Sequence, residues 1–172
     1  IAGAGTFLMT SGTLNGAGTL TFNSGFNWTS GTMAGAGTTR LVNAVNLSGS
    51  NTRTLDRTLE IAAGGSLNIG DNVLIQRSTS NGGTGSIVAL GTLTKSSGSG
   101  TAHVRYLDLR GNISSAAGVL SIYGNTSGSS IAGAAFSSTG SGSVRIDSGI
   151  VTLNAGESAN IASGVLELSG GA

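Results

Sequence analysis

Apolar residues along this chain come in short alternating pairs. Val45/Leu47, Leu59/Ile61, Leu67/Ile69, Leu107/Leu109, Leu120/Ile122, Val144/Ile146, Val151/Leu153 and Leu166/Leu168 each flank a single residue. Successive side chains of a strand point to opposite faces, so both members of such a pair face the same way. No stretch sustains the i, i+3, i+4, i+7 apolar spacing of a helix, and the intervening Gly, Ser, Thr and Asn are poor helix formers. The pattern predicts short strands and turns throughout, with no substantial helix.

The pairs also recur in phase. The steps from Val45 to Leu67, from Leu120 to Val144 and from Val144 to Leu166 are nearly equal. Near the N-terminus Thr10-Ser11-Gly12-Thr13-Leu14-Asn15-Gly16-Ala17-Gly18-Thr19 returns one period later as Thr29-Ser30-Gly31-Thr32-Met33-Ala34-Gly35-Ala36-Gly37-Thr38. A period of this size marks a unit that buries its apolar side only by stacking on its neighbours. The expected fold is therefore all-β, a parallel β-helix or β-solenoid with coils of about 19 to 25 residues. Residues 1–172 would form one solenoid domain, a segment of a longer repeat array. Gly12, Gly31, Gly49, Gly70, Gly111, Gly124 and Gly156 fall where corners are needed and are free to take positive φ, as Asn and Asp also can. The stretches 78–85 and 96–100 read as loops protruding from a coil. The structural alternative is a β-sandwich, which also uses short strands at regular spacing.

Composition narrows the functional classes. Glycine supplies 31 of 172 residues, proline none, and only 9% are charged, far below the roughly one-quarter of an ordinary soluble domain. A 38% apolar share separates the chain from Gly-rich disordered segments. The net charge of +1, with cations spread singly, provides no basic groove for nucleic acid and no polybasic patch for a membrane. No apolar run is long enough for membrane insertion as a helix. Cysteine is absent, which excludes disulfides and thiolate chemistry. Ile1 looks like a cut inside a longer pattern.

The run Phe26-Asn27-Trp28-Thr29-Ser30-Gly31-Thr32-Met33-Ala34-Gly35-Ala36-Gly37-Thr38, followed by Asn46-Leu47-Ser48-Gly49 and Arg53-Thr54-Leu55-Asp56-Arg57-Thr58-Leu59, resembles repeats of very large secreted bacterial proteins. Those are the filamentous-haemagglutinin and autotransporter-passenger type of solenoid, in which parallel β-coils build surface stalks or adhesive fibres. The likeness is clearest over residues 1–75. It implies a secreted or cell-surface module whose partners are further coils of its parent chain, other copies of itself, or glycans.

Some β-helices are carbohydrate-active enzymes, which work through closely placed carboxyl groups. The carboxylates here, Asp56, Glu60, Asp71, Asp108, Asp147, Glu157 and Glu167, form no Asp-Asp or Asp-x-Asp pair of the kind that would bring two together for glycoside cleavage. Gly82-Gly83-Thr84-Gly85 begins like the calcium-binding nonapeptide, but Ile87 stands where Asp is required. The glycine-rich stretches lack both phosphate-binding patterns. No catalytic residue, metal or cofactor is expected. The candidate ligand contacts are the polar cluster His103, Arg105, Asp108 and Arg110, suited to an anion or sugar acid, together with Tyr106 and Tyr123 as exposed rings. The competing reading of that cluster, and of Arg53, Asp56, Arg57 and Glu60, is a solvated face with weak ion pairs. Phe26 and Trp28 are expected in the core. Thr19/Thr21, Thr52/Thr54 and Thr92/Thr94 raise an ice-binding alternative, although the pairs are spaced too unevenly to keep register with one coil.

Overall fold

The computed structural model describes residues 5–23, 25–78, 84–105, 107–123, 129–148, 151–153, 155–158 and 160–169. Tyr106, Gly82, Gly83 and Gly124 lie outside these residues. The described chain is all β and contains no helix. Its strand pairings are parallel, and the strands fall into four sheets stacked on three faces, so the β-solenoid is the architecture and the β-sandwich is not.

Each turn contributes one strand to each of three faces. The first face opens with the paired strands Phe7–Met9 and Phe26–Trp28 and continues as a six-stranded sheet of Ala44–Leu47, Ser66–Ile69, Thr92–Lys95, Asn112–Ser115, Ala135–Ser138 and Asn160–Ser163. The second face has eight strands: Thr13–Leu14, Gly31–Met33, Thr52–Leu55, Leu74–Gln76, Thr101–Arg105, Val119–Tyr123, Ser143–Ser148 and Leu166–Leu168. The third has seven: Thr19–Phe22, Thr38–Leu41, Thr58–Ile61, Ser86–Ala89, Leu107–Leu109, Ser129–Ser130 and Val151–Thr152. With strands about 4.8 Å apart, the eight-stranded face runs for roughly 34 Å along the axis.

The alternating pairs are the inward rows. Val45, Leu67, Leu93, Ile113 and Phe136 stack in register on the first face, Ala102, Leu120 and Val144 on the second, and Leu59 and Ile87 on the third; all are buried. Aromatics concentrate in the first turns, where Phe22 and Phe26 sit 4.6 Å apart and Phe7 packs on both. Trp28 is fully buried in the same core. Polar ladders run outside, as in the 2.8 Å bonds from Asn68 to Asn46 and between Thr94 and Ser114. In the last turn the inward pattern opens, and Leu153 and Leu168 are exposed.

Turn length varies beyond the expected range of about 19 to 25 residues. A short turn sets Thr101 beside Val119, whereas a long one sets Leu74 beside His103. The strands stay in register because the corners absorb the difference, at 96–100 among other places.

Corner glycines act in two ways. Gly12, Gly31, Gly49 and Gly156 adopt positive φ, and a Cβ on Gly31 would stand 2.7 Å from the Gly12 carbonyl oxygen. Gly70 and Gly111, expected to do the same, do not. At Gly111 the requirement is close approach instead, since a Cβ there would lie 1.9 Å from the Gly91 carbonyl oxygen. Gly65, Gly91 and Gly111 form a column at the entrance to the first face, and Thr92 and Asn112 donate their amides to Gly65 and Gly91 at 3.0 Å.

Candidate functional site

The second face carries the densest exterior chemistry. Along its middle turns the residues between the buried rows form two outward rows. One is His103, Ser121, Arg145 and Glu167; the other includes Arg105 and Tyr123. Register shifts after Ile122, so that Tyr123 pairs with Ser148 and Asp147 is the extra residue of a bulge. A bulge re-aims the side chain it carries. Here the Asp147 carboxylate accepts a hydrogen bond from the Ser121 hydroxyl and forms an ion pair with Arg145, whose Nη2 lies 3.2 Å from Asp147 Oδ2.

Arg105 is arranged differently. Its guanidinium lies over the Tyr123 ring, 4.9 Å from the centroid, and the His103 ring tilts against the same tyrosine at 5.7 Å. A cation on an aromatic face is attracted by the ring quadrupole. Among the described residues Arg105 has no carboxylate partner, and its Nε, shielded from water, has no hydrogen-bond acceptor. His103 Nδ1 is also shielded and unpartnered. Burial lowers the His103 pKa first of all; the Asp147 carboxylate opposes that shift, while Arg105 and Arg145 add to it.

Three of the candidate contacts, His103, Arg105 and Tyr123, thus meet on one face. Asp108 and Arg110 do not join them. Asp108 lies on the third face between Val88 and Ser130, and Arg110 grips it with bonds of 3.0 and 2.8 Å in an exposed two-pronged pair. That pairing raises the Arg110 pKa. Tyr106 falls outside the described residues. Ser121, Arg145 and Asp147 were missed by sequence reasoning because they come from the next two turns. The signal that could have found them was the register of Leu120/Ile122 against Val144/Ile146.

Arg53 and Arg57 overturn their expectation as solvated charges. Arg53 is fully buried, sharing the inward row of its strand with Leu55. Its Nε donates to the Trp28 carbonyl at 2.6 Å, its Nη1 to Asn51 at 2.8 Å, and its Nη2 to Ser48. Arg57 reaches back two turns to the Gly18 carbonyl at 2.8 Å. Burial lowers the pKa of both. These cations satisfy corner carbonyls that would otherwise be buried without donors.

Three further carboxylates are similarly committed. Asp56 accepts the Ser78 amide at 2.8 Å, Glu60 pairs with Arg40 at 3.2 Å across adjacent turns, and Asp71 accepts the Gly100 amide at 2.9 Å. The three Thr-x-Thr pairs lie on three different faces: Thr19/Thr21 on the third, Thr52/Thr54 on the second and Thr92/Thr94 on the first. They build no common threonine lattice. Comparison with protein families, curated proteins and solved structures finds no match for the chain.

Proposed function

We propose that this chain is an extracellular structural and adhesive module, a stiff length of stalk or fibre. The observation that carries this reading is the stacking of parallel strands on three faces around a filled core, a construction that extends by repetition while its corners absorb differences in turn length. Low charge and the absence of cysteine are compatible with a surface protein that draws its stability from stacking. Five carboxylates tied to structural partners favour a non-catalytic role.

The end turns support a partner of the same kind, a further solenoid turn laid edge to edge. Parallel strands leave unpaired backbone at each end of a stack. Leu8 is exposed at one end, beside a shallow hollow lined by Phe7, Leu8, Met9 and Leu14; Ile161, Val165 and Leu168 are exposed at the other. Negative-stain electron microscopy of the purified chain over a concentration series, with light scattering, tests this reading. Rods lengthening with concentration are expected. Discrete particles of one mass at every concentration would remove self-stacking from the proposal.

A further inference from the structure

The geometry points to a binding site on the second face for an acidic saccharide, whose carboxylate or sulfate group is received by Arg105. This goes beyond the stalk reading and stands whether or not the solenoid polymerises. It rests on a division of labour between two arginines that lie two turns apart on the same surface.

Arg145 is neutralised where it stands. The bulge at Asp147 brings a carboxylate onto its guanidinium and binds that same carboxylate to Ser121. Arg105 receives no such partner among the described residues; its charge is held by the Tyr123 ring alone. An arginine presents a planar fork of donors that matches a two-oxygen anion. Laid on an aromatic face, that fork is held in orientation before a ligand arrives, so less entropy is lost on binding.

A saccharide suits the surroundings better than a bare ion. His103 and Tyr123 place two rings beside the guanidinium, and the partly exposed Arg145 continues the polar surface along the axis two turns on, above the buried Ser121. The surface is an open sheet face, which can receive a polymer lying across several turns. Rings beside polar hydrogen-bonding groups suit a sugar's combination of apolar and hydroxyl surface.

Titration calorimetry of the intact chain at low salt tests the site with four probes: an oligogalacturonate, a sulfated heparin oligosaccharide, a neutral dextran oligosaccharide and inorganic sulfate. The acidic oligosaccharides should bind, with affinity falling as salt rises, and the neutral one should not. If only one of the two binds, that identifies the anionic group as carboxylate or sulfate. Arg105→Gln should weaken binding by about ten-fold or more, the loss expected for a charge-assisted hydrogen bond. Tyr123→Ala should weaken it as well. Arg110→Gln, on the third face, should leave it unchanged, and circular dichroism of each variant confirms that the fold is intact. Equal binding of inorganic sulfate and the acidic saccharides, equal losses in the Arg105 and Arg110 variants, or binding by none of the probes would overturn the proposal.

Discussion

Two regions of this solenoid use positive charge in opposite ways. At the corner between the first and second faces, cations are turned inward and saturated. Arg53 donates to four carbonyls, those of Trp28, Ser48, Asn51 and, at 3.5 Å, Gly49. Two turns further on, Lys95 is fully buried and donates to Ser97 and to Gly98 at 2.8 Å, with Asp71 at 3.8 Å. In the next turn Ser115 occupies the Lys95 register and bonds to Ala117 and Gly118 at 3.3 Å. On the outer second face, by contrast, Arg105 is left with a ring for company. A chain that satisfies its corner carbonyls so fully, yet leaves one surface arginine unmatched, separates charge that holds the coil from charge free to meet a ligand.

The largest way to break this contrast is to remove a corner cation. Arg53→Met keeps most of the volume but strands the Trp28, Ser48 and Asn51 carbonyls. Removing one partner of a buried charged network costs about 3 to 5 kcal/mol. Chemical denaturation should show a loss of that order for Arg53→Met, while Arg105→Gln should cost no more than about 1 kcal/mol. Similar losses for both would mean that the two arginines play one role.

Lys95→Met sharpens the same point with fewer bonds. Two carbonyls lose a donor, and the expected loss is about 2 kcal/mol. Because Ser115 serves the corresponding corner one turn later, Lys95→Ser should recover little of it; the hydroxyl is too short to span a corner that runs from Ser96 to Gly100 before the next strand. A midpoint for Lys95→Ser equal to wild type would show that corner length does not set the choice of donor.

Gly111→Ala tests the corner that has no cation. The added Cβ meets the Gly91 carbonyl 1.9 Å away, and the turn must shift to admit it. Overpacking of this kind costs about 1 to 3 kcal/mol. Gly49→Ala is a useful comparison, because open space surrounds Gly49 and only its positive φ resists substitution. The glycine column predicts that Gly111→Ala lowers the melting temperature more than Gly49→Ala does, a difference that thermal denaturation followed by circular dichroism would detect, and equal losses would count against it.

These corners mark where sequence reading succeeded and where it failed. The period-two pairs located the faces and the inward rows, because alternation is a local property and each pair sits within one strand. Val45, Leu67, Leu120 and Val144 could be placed without knowing the turn. Corners are different. Arg53 and Arg57 sit among Thr, Asp and Glu, a local context that reads as solvent-facing; only the partners in other turns, Trp28 and Gly18, draw them inside. The candidate site divided for the same reason. His103 and Arg105 share a strand and were legible together, whereas Asp108 and Arg110, a few positions on, have already turned onto the third face. The true neighbours of the first two, Tyr123, Arg145 and Asp147, are remote in sequence but only one or two turns away in space.

The smallest expected effect is the most specific to that neighbourhood. His103 is faced by Arg105 on its own strand, by Ser121 and Tyr123 one turn on, and by Arg145, Asp147 and, further along, Glu167. Burial lowers its pKa, and Arg105 and Arg145 push the same way against the opposing Asp147 carboxylate. The folded chain therefore binds a proton here less readily than the unfolded chain, whose histidine titrates near about 6.5. Stability that depends on the neutral ring is fully present above that value and is lost as pH drops through it toward the folded pKa. Proton NMR of this single histidine should give a midpoint below the unfolded reference. Arg105→Gln removes one lowering charge and should move the midpoint upward; Asp147→Asn removes the opposing carboxylate and should move it further down. A midpoint indifferent to both changes would place His103 apart from the cluster and leave Arg105 and Tyr123 without their third member.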